Sequence, residues 1–104
     1  MTLRITAEAA RAIVDFTRDR ILELGNEFVP ALAWIVGDTD LKTPIPRLAV
    51  GIADRNVVQG RFLECDGIDC EIAHILPEKI IRKFHHHDID LRGGELAFVE
   101  NQSS

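Results

Sequence analysis

A chain of 104 residues, 46% hydrophobic and 28% charged, has the size and composition of one globular domain. Its net charge of −5 and pI near 5.3 exclude nucleic-acid binding through a basic surface, which needs a lysine and arginine surplus to neutralise phosphates. No apolar run approaches the roughly 20 residues that span a bilayer, and the opening MTLRITAEAA has no apolar secretion core, so a cytoplasmic protein that engages neither membrane nor nucleic acid is expected.

Thr6 is placed to cap a helix, with its hydroxyl accepting from an amide of the first turn. Glu8 follows where the helix dipole favours an acid, and Ile5 can pack on Ala10 across the cap. Ala10, Ile13, Val14, Thr17, Ile21 and Leu24 recur at helical spacing and make one stripe. That stripe serves to cover a sheet or, on the functional reading, to bind a partner. Arg11 and Asp15 stand four apart and can pair, and Gly25 is a C-terminal stop.

Residues 31–36, ALAWIV, are apolar on both alternating faces, which predicts a strand covered on both sides with Trp34 in the core or at a pocket. Residues 37–46, GDTDLKTPIP, read as a loop. Its Asp38 and Asp40 lack the further oxygen ligands and glycine spacing of a calcium site. Residues 47–53, RLAVGIA, predict a second strand with small residues on one face, and 57–63, VVQGRFL, a third. Asp66-Gly67 suits a type I′ turn, leading to a fourth strand at 68–72 in which Ile68, Cys70 and Ile72 point inward. Strands two to four then form an antiparallel meander.

The two cysteines, Cys65 and Cys70, are too few for a disulfide framework and match no common zinc or redox spacing. They are expected to be reduced, with Cys70 acting as a small buried hydrophobe.

Pro77 suits the first turn of a short second helix, with Leu76, Ile80, Ile81 and Phe84 as its apolar face and its basic residues toward the end. His85, His86 and His87 follow. In an extended chain His85 and His87 would share a side, and with a nearby carboxylate, Asp88 or Asp90, they would make a partial ligand set for a divalent metal, the one cofactor the sequence suggests. The plainer reading is that solvated histidines end a helix near its negative dipole end. Ile89 and Leu91 begin another strand, Gly93-Gly94 turns it, and residues 96–99 return. The sum is a single α+β domain over 1–100, an N-terminal helix on a small mixed or mostly antiparallel β-sandwich with a second short helix, and a polar tail at 101–104.

The opening ITAEAARAIVDF, and the stretch from GIDCEI through the short helix to GGELAFVE, resemble the HesB-like, A-type iron–sulfur carriers. The resemblance implies a first helix packed on a small curved sandwich. It does not imply cluster transfer. That family ligates iron through a mid-chain loop cysteine and a Cys-Gly-Cys near the C-terminus, whereas the loop here is GDTDLKTPIP and the end is ENQSS.

No GxSxG, phosphate loop, dinucleotide fingerprint or HExxH is present, so an enzyme is not the favoured reading. A non-catalytic domain of accessory or protein-interaction role is expected, with self-association through a strand edge as one form. The alternative is an acidic inhibitor or immunity-type protein that meets a basic partner through Asp38, Asp40, Asp69, Glu71 and Asp90.

Overall fold

The computed structural model describes residues 3–35, 47–67 and 70–100. The fold is α+β: a long N-terminal helix, a second short helix and two small mixed sheets. The expected polar tail at 101–104 lies outside the described residues.

The chain enters through a two-residue strand, β1 (Arg4–Ile5), that the sequence reading missed. The helix α1 (Ala7–Leu24) follows at once, with Thr6 as its cap: the Ala9 amide donates to Thr6 Oγ1 at 3.3 Å. Gly25 ends it at φ 109°, where its amide donates to the Ile21 carbonyl at 2.8 Å. The predicted stripe is the packed face: Ala10, Ile13 and Thr17 are buried, and Leu24 projects past the core. Asp15 pairs with Arg18, three residues on, and not with Arg11 as its four-residue spacing suggested. Both geometries are open on an exposed helix face, and such pairs contribute little.

Strands β2 (Phe28–Ile35) and β3 (Arg47–Asp54) pair antiparallel without a break, Leu32 opposite Val50 and Trp34 opposite Leu48. β2 begins three residues earlier than the apolar run suggested and passes through Pro30. It is covered on both faces, as its double apolar pattern required. Leu32 joins the main core with Ile5, Ile13, Ile72, Leu76 and Ile89. Val29 and Ala31 join a second cluster with Val58 and Ala73.

The third strand expected at 57–63 is not formed. The Asp54 carboxylate accepts from the Asn56 amide at 2.8 Å, and the Asp54 carbonyl accepts from the amides of Val57 at 3.0 Å and Val58 at 3.3 Å. This side-chain-closed turn offers the backbone an alternative to a ladder. The chain coils through Gly60, at φ 79°, and drops Val58 into the second cluster.

The meander is therefore also absent. Residues 61–65 and 70–74 do fold back on each other: Phe62 bridges Ala73, the Leu63 amide donates to Ile72 O at 2.8 Å, and the His74 amide donates to Arg61 O at 2.9 Å. This hairpin feeds both sheets. Its first arm supplies β4 (Glu64–Cys65), parallel to β1; its second supplies β5 (Ala73–His74), parallel to β2. Of the fourth strand expected at 68–72, Ile68 and Asp69 lie outside the described residues and 70–72 form no regular strand; β5 begins just after, at Ala73. Asp66 does not take the positive φ that a type I′ turn requires; Gly67 alone does, at 77°. The loop is instead closed by a disulfide between Cys65 and Cys70, whose Cα atoms are 6.4 Å apart. The expectation of reduced thiols is corrected here, because the hairpin register sets the two side chains against each other.

The short helix α2 (Glu78–Lys83) is preceded by Pro77 as its cap position, one residue outside the first helical turn. β6 (His87–Arg92) and β7 (Glu95–Glu100) form the predicted hairpin, with Gly93 at φ 59° and Gly94 at φ 82° in a two-residue turn. The sheets run β4-β1-β6-β7 and β3-β2-β5.

Two stability predictions follow from these joints. Thr6→Val, which removes the cap oxygen and the hydroxyl proton, should lower the unfolding free energy by about 1–2 kcal/mol in urea melts, and Thr6→Ser should recover most of it. Replacing both cysteines by alanine should cost about 2 kcal/mol, the loop-closure entropy of a bridge this short. Thiol titration of the unfolded, unreduced protein should find no free thiol.

Candidate functional site

The residues nominated by the sequence are dispersed by the fold. His85 and His86 lie in the turn between α2 and β6, and His87 opens β6, so the extended geometry that would align His85 with His87 does not arise. His85 Nδ1 sits 2.7 Å from the Arg82 carbonyl oxygen; a carbonyl only accepts, so this nitrogen carries the proton and is withheld from a metal. The His85 and His86 rings lie against each other at 3.6 Å. His87 and Phe84 meet edge to face at 5.2 Å, with the His87 Nδ1 buried and unbonded. Among the described residues no three His, Cys, Asp or Glu side chains converge as a metal set.

Phe84 anchors an aromatic group at this joint. It stacks on Phe98 at 4.1 Å, and Trp34 tilts against both at 6.1 and 5.9 Å. Lys83 lies over the Phe84 ring at 5.4 Å. The triple histidine therefore borders a packed aromatic cluster.

Of the carboxylates nominated for a partner, Asp38, Asp40 and Asp69 lie outside the described residues. Glu71 is ion-paired with Arg55. The Asp90 side chain is only 16% exposed; it accepts from the Thr6 hydroxyl at 2.7 Å and pairs with Arg92 Nε at 3.1 Å. The Thr6 hydrogen bond, followed by the Leu91 amide and Arg92, outweighs burial and holds its carboxyl below the usual carboxylate range.

His74 is the one histidine inside the protein, at 9% exposure. Its Nδ1 accepts from the Leu76 amide at 3.3 Å, which fixes the neutral tautomer with the proton on Nε2. Burial, reinforced by the Arg61 charge, pushes its pKa down from 6.5. This side chain organises the strand-to-helix corner.

Among the exposed apolar side chains of the described residues, which include Leu22 and Val57, the aromatic one lies on α1. Phe16 is 77% exposed, on a helix whose neighbouring positions Ile13 and Thr17 are buried. It stands between two hollows. One, about 350 Å³, is bounded by α1, the start of β3 and the β6–β7 hairpin, with Ile13, Leu48, Val50 and Leu96 in its lining and Arg47 and Glu95 at its exposed edge. The other, about 540 Å³, lies between the second half of α1 and the middle of β3, over Thr17, Leu24, Phe28 and Ile52, beside Arg20. The periodicity places Phe16 off the stripe and so gives no reason for an aromatic there; that mismatch was the available signal.

No protein family, curated protein or solved structure matches this chain. Among the described residues, no helix is long and apolar enough to cross a membrane.

The lowered pKa of His74 fixes a sign. Below 6.5 the unfolded chain takes up a proton that the native imidazole resists, so this contribution to stability is complete above that value and is lost as pH falls through it. Urea midpoints should fall between about pH 7.5 and about pH 5.5, and His74→Gln, which does not titrate, should flatten that slope.

Proposed function

We propose that this chain is a non-catalytic protein-interaction domain, of HesB-like architecture without that family's ligands, and that it binds through the α1–β3 face. The observation that carries the reading is Phe16, a large aromatic side chain held in solvent between two apolar hollows. Isolated exposed apolar residues are ordinary. An exposed aromatic beside concave apolar surface has the form of an interface anchor, the kind of residue that dominates binding energy when a partner covers it.

The cysteines support the non-catalytic side of the reading. Cluster ligation and thiol catalysis both need a thiolate, and Cys65 and Cys70 are bonded to each other. Two of the carboxylates nominated for an acidic docking surface, Glu71 and Asp90, are held by arginines of the same chain. That draws weight from the charge-led alternative toward the apolar face.

A photo-crosslinking residue at position 16, introduced in the native host, should trap a discrete protein adduct. The same residue at Val57, equally exposed but on the far turn, should not. Equal, diffuse labelling from both positions would remove the basis of this proposal.

A further inference from the structure

From the α1–β3 face, and resting on its reading as a binding surface, we infer that the partner it fits is a second copy of this chain. The face carries a projection and its receptacle together. Phe16 projects at the wall of a hollow of about 350 Å³ whose remaining lining is mostly aliphatic, with Arg47 and Glu95 at its edge. A cavity of about 150 Å³ with such a lining accepts a benzene ring, so the hollow has room for a phenyl side chain. A two-fold axis across this face places each Phe16 in the other copy's hollow. A surface that holds both halves of its own complement is what an isologous interface requires.

The charges at the edge agree with the same axis. Arg47 and Glu95 both border the hollow and are both exposed. Among the described residues neither has an ion-pair partner. They are opposite in sign, so one two-fold sets Arg47 against Glu95 of the second copy and Glu95 against its Arg47. Two reciprocal pairs also answer a difficulty of self-association here: each copy carries a net charge of −5, and like-charged molecules need local complementarity to approach. A single-sign rim would fit a foreign partner of the opposite sign; a mixed rim around a knob and a hollow fits itself.

Sedimentation equilibrium of the full chain over a wide concentration range tests this. The mass should rise from 11.6 kDa toward twice that value as concentration increases. Phe16→Ala should raise the dimer dissociation constant on the order of 100- to 1000-fold, since the two-fold removes two anchors at once. Arg47→Glu and Glu95→Arg should each weaken the dimer about three- to tenfold, and the double reversal should restore it to within about threefold. Circular dichroism should be unchanged in all of these variants, whose altered side chains lie on the surface, and their melting temperature should match that of the parent chain at concentrations low enough for both to be monomeric. A chain that stays at 11.6 kDa at every concentration overturns the inference, as does a dimer insensitive to Phe16 and to the reversals. The crosslinker at position 16 separates this from the broader reading. An adduct with another copy, mapped to residues 47–50 or 94–96, supports the dimer. An adduct with a different protein overturns it while leaving the face a binding surface, and no adduct ends both.

Discussion

The larger sheet depends on four residues at the start of the described chain. The Glu64 and Asp66 amides donate to the carbonyls of Leu3 and Ile5, and the Thr6 amide donates to the Ile89 carbonyl, so β1 is parallel to a strand on each side. Without β1 nothing would join β4 to β6. Thr6 then adds a second function at the same point. Its oxygen caps α1 while its hydroxyl proton goes to Asp90, 84 residues away. The direction of the first helix is thus tied to the last hairpin. Contacts of such sequence separation are closed at an entropic cost, and the burial of Leu3 and Ile5 adds to the hydrogen bonds that offset it.

The hairpin at 61–74 performs the second join. One arm lies in each sheet, and the disulfide sits at the loop between them, with both cysteines packed against the main core. Arg4 reaches Asp66 at 3.2 Å, a half-exposed pair that adds little by itself but lies directly over the β1–β4 contact. Each named part of this region is short: β1, β4 and β5 have two residues apiece. A closed loop reduces the freedom that such short strands would otherwise have to overcome.

What could be read from the sequence, and what could not, follows from this length. α1, β2, β3, α2 and the β6–β7 hairpin each carry a local signal of six residues or more, or a glycine pair that fixes a turn, and each is present where expected. The two-residue strands carry no periodicity. Arg4–Ile5 forms a strand because Glu64 and Asp88 lie opposite it, a fact held elsewhere in the chain. Residues 57–63 alternate well enough for a strand, but Asp54 captures the following amides first, and a local hydrogen bond outcompetes a pattern. The disulfide was hidden for the opposite reason: its spacing is unremarkable until the hairpin register is known. The candidate site was legible only as an anomaly, since helical spacing leaves Phe16 outside the stripe without saying what neighbours it.

The same accounting bears on what kind of molecule this is. Among the described residues, several polar groups are engaged in building the fold: Asp90 with Thr6 and Arg92, Glu71 with Arg55, His74 with the Leu76 amide, and the two thiols with each other. Each of these would have to leave a structural partner in order to act on a substrate. Phe16 has no structural partner to leave. An aromatic side chain kept out of the core forgoes the gain of burial, and so do the apolar parts of the hollows on either side of it. Covering all three at once would remove this apolar surface from water. The proposed binding role rests on that contrast between engaged polar groups and an uncovered aromatic side chain.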